Sequence, residues 1–164
     1  MSIAKQQIAE TALFTLEFGK LLIKDIPDAR LTERPTETMN HPAWILGHLA
    51  YAADGGAAHL GDERALPAAW HELFKGGSTR TGKRTDYPGK DELVAMLDER
   101  TRRAAELLPG ADDAFLAAEL PDERRRTRFG TNGRFLTFLL TAHPGFHFGQ
   151  LSTWRRAAGL GSAM

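Results

Sequence analysis

Apolar residues recur at helical spacing in four stretches of the chain. In the first stretch Phe14, Phe18 and Leu21 follow one another at intervals of four and three residues, with polar side chains between them. This period is typical of an amphipathic α-helix, because residues three and four apart share one face. The spacing predicts four long helices, over residues 3–26, 41–60, 91–108 and 135–158.

Prolines and capping residues indicate where these helices begin and end. Pro27 follows the first stretch, and Pro109 and Gly110 follow the third. An interior proline removes a backbone donor and breaks a helix. Asn40 is the expected N-cap of the second helix, with Pro42 in the first turn, where a missing N–H costs nothing.

The connections between the predicted helices differ in length and composition. Residues 61–90 hold two prolines and five glycines, so we expect a long connection with one helical turn near residues 68–74. A short helix is expected over residues 112–119. Residues 121–134 combine charges with glycines and are predicted to be irregular or an exposed strand pair. We interpret the four neighbouring arginines, Arg124, Arg125, Arg126 and Arg128, as a solvated face.

Four long amphipathic helices without alternating strands favour an all-α protein, and specifically a four-helix bundle. The long connection between the second and third helices can travel the length of the bundle, so those two helices can run parallel. We therefore predict an up-down-down-up bundle with a long crossover between helices two and three. At 164 residues the chain is expected to form a single domain, residues 1–164.

Composition and charge narrow the classes of function. Basic and acidic residues both total 21, so no global field favours nucleic acid or an anionic membrane. The chain has no cysteine, which excludes disulfides, thiolate zinc sites and a cysteine nucleophile. No stretch approaches the ~18 apolar residues that would span a bilayer. We expect a soluble, cytoplasmic protein without a membrane partner.

Three histidines lie on apolar faces of the predicted helices. His143 and His147 are four residues apart on the last helix, and His48 lies within the second. Side chains at i and i+4 have Cβ atoms roughly 5–6 Å apart, so two imidazoles there can converge on one ion. Burial of three imidazoles without partners costs free energy. A metal site is therefore the leading hypothesis, and three hydrogen-bonded core histidines are the alternative.

Pro144 and Gly145 separate the two histidines of the last helix. An interior proline deletes the hydrogen bond to residue 140 and clashes with that turn. We therefore expect a kink or a π-bulge, which often occurs at functional sites. In the alternative interpretation Pro144 marks a helix start, and the last helix begins near His143.

The remaining histidines are predicted to lie outside the metal site. His41 is two helical turns from His48 and is expected near the pocket rim, while His59 and His71 are expected at the surface or in a loop. Other catalytic patterns are missing from the sequence. It has no Glu-x-x-His pair of a di-iron bundle, no H-E-x-x-H and no phosphate-binding glycine loop.

Two segments carry a resemblance to a known family. NHPAWILGHLA, residues 40–50, and AHPGFHFGQLSTWRR, residues 142–156, together resemble the DinB/YfiT-like family of the DinB superfamily. The family's W-x-x-x-H-L and H-x-x-x-H-x-G-Q patterns match His48, His143 and His147. The resemblance implies an up-down-down-up bundle, three histidines that hold one divalent metal ion, commonly zinc or nickel, and frequently a homodimer. The chain departs from the family at Pro144 and Gly145, where relatives often carry an acidic or bulky residue.

The resemblance also bears on function. Some relatives are thiol-dependent transferases or isomerases that use mycothiol, bacillithiol or glutathione, and many have no established activity. Three neutral imidazoles would leave the charge of the ion uncompensated, which favours ionisation of a bound water or thiol. We expect a metal-dependent transferase or hydrolase that acts on a small molecule, with any thiol supplied by a low-molecular-weight co-substrate. The alternative is a non-catalytic, metal- or small-molecule-binding stress-response bundle.

Several side chains are predicted to surround the metal ligands. Trp44 and Tyr51 lie about one turn from His48, and Phe146 and Gln150 lie near the other two histidines. They would give apolar walls and one amide that orients a ligand or an imidazole, although core packing also accounts for the aromatic residues. Arg155 and Arg156 either reach the carboxylate of an anionic thiol or complement the helix dipole.

Overall fold

The computed structural model describes residues 2–163, so the two ends of the predicted domain 1–164 lie outside the described range. The chain is all-helical there, with a single isolated bridge between Glu119 and Thr131. The helices are α1 Ile3–Ile23, α2 Pro42–His59, α3 Ala68–Phe74, α4 Lys90–Leu107, α5 Asp113–Ala117, α6 Glu123–Phe129, α7 Asn132–Thr137 and α8 His143–Ala157. Short 3₁₀ turns occupy Asp28–Arg30, Arg84–Asp86 and Leu108–Gly110. The all-α prediction is confirmed.

Helix α2 forms the centre of the molecule. It packs against α4 most extensively and also against α3 and α8. Small residues such as Ala50, Ala53 and Ala57 are buried along it beside Ile45 and Leu46. Small side chains let neighbouring helices approach α2 closely. Buried residues occur from Pro42 to Ala57, so other elements cover α2 over most of its length.

The start of α2 differs from the prediction. His41, not Asn40, is the N-cap, and its Nδ1 accepts a hydrogen bond of 3.1 Å from the backbone N–H of Trp44. Burial lowers the pKa of His41 to about 4, which keeps the imidazole neutral and able to accept. The rim position predicted for His41 is therefore wrong, because the side chain is fully buried.

A glycine allows α3 to pack tightly onto α2. A Cβ atom on Gly47 would collide with the ring of Phe74, which is itself completely buried. The close approach brings the last turn of α3 next to the middle of α2. The residues predicted as one helical turn thus form a helix that helps to build the functional site.

The first helix buries a different face from the one that its aromatic residues suggest. Phe14 is 76% exposed and Leu21 is 50% exposed. The buried face of α1 instead carries Ala12, Leu16 and Gly19, and a Cβ on Gly19 would collide with the ring of Phe148. The small residues face the bundle because α8 contributes the large ring at that contact.

The chain from Asn132 to Ala157 follows one helical path that is interrupted by a π-helical segment, Phe138–Ala142. The backbone N–H of His143 donates to the carbonyl of Phe138, five residues earlier. Pro144 then lies in the first turn of α8, where its lack of an N–H is tolerated. The expected π-bulge is confirmed. The helical path already begins at Asn132, upstream of the alternative start at His143.

Most of residues 121–134 are helical, since α6 covers 123–129 and α7 begins at Asn132, so the prediction of an irregular segment or strand pair is wrong for most of this segment. The Asp122 side chain caps α6 and the Thr131 side chain caps α7. Gly130 separates the two helices with a φ of 74°, a left-handed conformation that glycine adopts without strain. The caps and this glycine explain how a charged, glycine-containing segment still forms two helices.

Among the described residues, no helix is both long enough and apolar enough to cross a membrane.

Candidate metal centre

The structure brings His48, His143 and His147 together. His48 comes from the middle of α2, and the other two come from the first two turns of α8. One nitrogen from each ring lies within 4.8 Å of the others, and the Nε2 atoms of His48 and His143 are 3.1 Å apart. The ring centroids are separated by 4.7 to 5.0 Å. The three imidazoles therefore form a compact triangle that links two helices.

Hydrogen bonds determine which ring nitrogen of His48 and of His147 is available to a metal ion. His48 Nδ1 lies 2.7 Å from the carbonyl oxygen of Phe74, so this nitrogen carries the proton and donates. His147 Nδ1 lies 3.1 Å from Oε1 of Gln150, which also accepts from Nδ2 of Asn40 at 3.0 Å. An acceptor at Nδ1 places the ring proton on that nitrogen. In both histidines Nε2 is therefore unprotonated, and its lone pair is available at the centre of the triangle.

The site keeps its histidines neutral. Burial lowers the pKa of His143 to about 3, with further lowering from the neighbouring imidazoles of His147 and His48. Burial also lowers the pKa of His147 to about 4 and lowers that of His48. Near pH 7 the three rings are therefore uncharged, which is the form in which imidazole binds a metal ion.

These residues fit a divalent cation with nitrogen ligands. Imidazole nitrogens bind zinc at about 2.0–2.1 Å, so two of them on one ion lie roughly 3–3.5 Å apart, comparable with the 3.1 Å between His48 and His143. The backbone carbonyl of Phe74 and the amide of Gln150 orient two of the rings, as hydrogen-bonded partners of metal-binding histidines commonly do. The donor set and its orientation both suit such an ion.

An aromatic wall supports His48. The indole of Trp44 stacks on the imidazole, with centroids 4.6 Å apart and planes 7° from parallel. Trp44 is held in turn by its Nε1 atom, which donates to Oγ of Ser78 at 2.9 Å, and that hydroxyl donates to the carbonyl of Leu73. The loop after α3 therefore fixes the plane of the His48 ring through Trp44.

Two adjoining clefts open onto the histidine triangle. The smaller, about 180 Å³, is lined by His48 and Tyr51, and the larger, about 530 Å³, by Phe146 and His147. His143 lines both. Within the described part of the chain, the lining of neither cleft includes a carboxylate. A small molecule in either cleft would meet the imidazoles without passing an acidic side chain.

The residues predicted around the ligands occupy different positions. Trp44 is buried against His48, and Gln150 holds His147. Tyr51 lines the smaller cleft. Phe146, expected near His143 and His147, is 65% exposed, and its ring lies beside that of His147 at a centroid distance of 5.3 Å. The part that these residues play in substrate binding stays a prediction.

Of the two alternatives for Arg155, the one in which it reaches a substrate carboxylate is wrong. Its side chain is 1% exposed, donates to the carbonyl of Leu22 at 2.8 Å and forms an ion pair with Asp25. It therefore links α8 to the end of α1. Arg156 is exposed at the end of α8 and lines neither cleft.

The other histidines lie outside the triangle. His71 is exposed and pairs with Glu72, as expected for a surface residue. His59 is half-buried and its Nε2 lies 2.8 Å from Oδ1 of Asn132, so it is a hydrogen-bonded residue between α2 and α7. The sequence did not show that the Phe74 carbonyl bonds to His48 or that the Asn40 amide bonds to Gln150, because contacts made by backbone atoms and loop residues have no sequence motif.

Comparison with known proteins gives a match to a family model. The model of the DinB superfamily matches residues 20–151, a segment that contains all three histidines. No curated protein and no solved structure gives a significant match to the chain. The match confirms the resemblance carried by the two histidine-containing segments. Because the matched segment covers most of the sequence, the chain belongs to the DinB superfamily.

Proposed function

We propose that His48, His143 and His147 bind one divalent metal ion, zinc or nickel, and that the chain is a metal-dependent enzyme of the thiol-dependent transferase or hydrolase type. The observation that carries the proposal is the convergence of three neutral imidazoles on a point reached by two open clefts. Structural zinc sites normally have four protein ligands, whereas catalytic sites keep a position for water or substrate.

The protein's own residues prepare this site before any substrate arrives. Burial keeps the rings neutral, the Phe74 carbonyl and Gln150 hold two of them in orientation, and Trp44 restricts His48. A divalent ion bound there would lower the pKa of a water or thiol that it binds. Because the chain has no cysteine, a reacting thiol has to come from a small molecule that enters through the clefts.

The described residues that line the two clefts include no carboxylate, which favours a second candidate function. Many hydrolases place a general base beside the attacking water, and the described cleft residues offer no acidic one. A non-catalytic bundle that binds a metal ion or a small molecule would need no such base. In that case the same histidines would serve binding alone.

Cobalt substitution distinguishes the two candidates. We expect a low-molecular-weight thiol such as 2-mercaptoethanol to give a sulfur-to-metal charge-transfer band with the cobalt-loaded protein. The band should grow as the pH rises through the lowered pKa of the thiol. A cobalt spectrum that does not change up to millimolar thiol would contradict an open position and support the non-catalytic bundle. A band that persists in His48→Ala would show that the thiol binds elsewhere.

We also propose the up-down-down-up order for α1, α2, α4 and α8. Supporting it, α2 packs against α4, α1 contacts α4 and α8, and α8 contacts α2, while the connection that contains α3 separates α2 from α4. Spin labels near the first turns of α2 and α4 should lie close together if these helices run parallel. A long distance between those labels would indicate an antiparallel pair.

A homodimer is a further proposal. On α1 the exposed residues Ile3, Phe14 and Leu21 recur at intervals of eleven and seven, so they share one outward face. Two copies could bury this stripe, and dimers are the commonest oligomers. Sedimentation at tens of micromolar should show a dimer, and Phe14→Glu should shift it towards monomer. A monomeric wild-type protein would refute the proposal.

A further inference from the structure

Three arginines surround the clefts that lead to the histidine triangle. Arg64 lines the smaller cleft, Arg128 lines the larger, and Arg125 lines both. They come from different parts of the chain, since Arg64 lies between α2 and α3 and the other two lie on α6. The fold thus gathers arginines beside two adjoining clefts, although the sequence as a whole carries equal numbers of basic and acidic residues. Of the three, Arg64 pairs with Asp54 at 3.3 Å.

Each of these guanidinium groups lies against an aromatic face. Arg125 is 5.2 Å from the centroid of the Phe135 ring, and Arg64 is 5.5 Å from that of Tyr51. Arg128 contacts two rings, Phe129 at 5.3 Å and Phe138 at 5.6 Å. Such a contact holds the plane of the guanidinium by a cation–π attraction.

The arginines of α6 that line the clefts lack an acidic partner within the described residues. Between residues 2 and 163 no ion pair involves Arg125 or Arg128, whereas Arg126 of the same helix lies 3.9 Å from Glu119 and donates to the carbonyl of Leu120. Elsewhere arginines are satisfied by carboxylates, as in the pair between Arg100 and Asp54. The two cleft arginines therefore have donors available for a ligand.

We propose that the clefts bind a small molecule with an oxyanion group, in the first place a carboxylate, that is held by Arg125 and Arg128. The rest of that molecule is apolar, because Phe135 and Leu139 line both clefts and Phe146 lines the larger one. Arginine forms bidentate hydrogen bonds with planar carboxylates. A cleft of about 530 Å³ is also within the usual size of a small-molecule site.

This inference rests on the proposed function for the orientation of the ligand. The reactive end of the ligand would lie at the metal site, and its charged end would lie at the arginines. It identifies the substrate class as anionic. Arg125 and Arg128 are exposed, as predicted for a solvated face, and the inference adds a binding role for these two residues because they line the clefts.

Binding of a matched pair of probes tests the oxyanion site without a reaction. 3-Phenylpropionate and 3-phenylpropanamide have the same apolar body and differ in charge. We expect calorimetry at low salt to detect the carboxylate at roughly millimolar affinity or better and the amide at least tenfold more weakly. Inorganic phosphate is a third probe. Phosphate that binds more tightly than the carboxylate, with the same dependence on the arginines, would identify a phosphate ester as the source of the oxyanion.

Substitutions on one helix provide the control. Arg125→Gln and Arg128→Gln should each weaken 3-phenylpropionate roughly tenfold, whereas Arg124→Gln, also on α6 but outside both cleft linings, should leave its affinity unchanged. Circular dichroism should show that all three variants remain helical. Equal binding of the carboxylate and the amide, equal effects of all three substitutions, or no binding of the carboxylate would overturn the inference.

Titrations with and without zinc separate this inference from the proposed function. If zinc fails to bind but 3-phenylpropionate binds and depends on Arg125, the metal-dependent function is wrong and the oxyanion site stands. If zinc binds at the histidines but 3-phenylpropionate does not bind, the oxyanion site is wrong and the metal site stands.

Discussion

Replacement of Gly47 by alanine tests how the packing of α3 builds the metal site. The added methyl group would occupy the space of the Phe74 ring. That ring is completely buried, so it cannot rotate into solvent, and α3 has to move away from α2. The same turn of α3 supplies the carbonyl that accepts from His48 Nδ1 at 2.7 Å. One methyl group should therefore change both stability and metal affinity.

The size of the effect follows from two opposing contributions. Overpacking of a closed core costs typically 1–3 kcal/mol, while alanine is favoured over glycine inside a helix by roughly 1 kcal/mol. We expect a net loss of roughly 0–2 kcal/mol in the free energy of unfolding. For a chain of this length that loss corresponds to a decrease of up to roughly 8 °C in Tm. Loss of a hydrogen-bonded partner to a metal-binding histidine typically lowers affinity about 10- to 100-fold.

Gly55→Ala is the matched control on the same helix. The nearest atom to its new methyl group would be Nη2 of Arg64 at 3.5 Å, an ordinary contact. This variant should be as stable as the wild type or slightly more stable, and it should bind zinc normally. Thermal unfolding of the metal-free proteins and calorimetric zinc titration give the two readouts. If Gly47→Ala behaves like Gly55→Ala in both, the Phe74 ring does not hold α3 in place and this reasoning is refuted.

Three further predictions concern the surroundings of the site and its response to acid. Gln150→Leu should lower zinc affinity about 10- to 100-fold because His147 Nδ1 loses its acceptor. Gln150→Glu keeps an acceptor and should lose much less affinity. Equal affinities of the two variants in a zinc titration would contradict this prediction. His59→Ala should leave zinc affinity unchanged, since His59 bonds to Asn132 outside the triangle, and a loss in the same titration would show that the triangle is incomplete. The metal-free chain should lose stability as the pH falls from about 6.5 to about 4, because His41 has a pKa of about 4 when folded and binds its proton more readily when unfolded. His41 alone accounts for up to roughly 3 kcal/mol of that loss. Chemical denaturation at several pH values should therefore show that the free energy of unfolding falls less steeply with decreasing pH in His41→Asn than in the wild type. Identical slopes would refute the assignment of this acid sensitivity to His41.

The pattern of apolar residues predicted the long helices but not which face of each is buried. The period in α1 includes Phe14 and Leu21, yet both are exposed, because the bundle uses the small face of α1 to accept Phe148. Periodicity locates a stripe, but the partner helix decides which stripe fits. Periodicity also failed to predict the short helices α6 and α7, because each is too short to show a repeat. Their ends are set instead by two capping side chains and one left-handed glycine.

The candidate metal ligands could be recognised because their spacing is local and their chemistry is specific. His143 and His147 are four residues apart on one helix, and His48 follows a tryptophan at a fixed interval. The groups that orient and surround them come from distant parts of the chain, such as the Phe74 carbonyl and the Asn40 amide. The sequence predicted correctly that Arg125 is exposed. Its place in the same cleft lining as His48 and His143 results from the fold and could not be predicted from composition.

The most direct test of the account is the metal content of untreated protein and of its histidine variants. Elemental analysis should find about one divalent ion per wild-type chain, because one set of three imidazoles converges within the described residues. His143→Ala and His147→Ala should abolish tight binding in a calorimetric zinc titration, while His71→Ala, which alters an exposed residue, should bind as the wild type does. Undiminished zinc affinity in His147→Ala, or a wild-type protein that binds no divalent ion, would contradict the central claim.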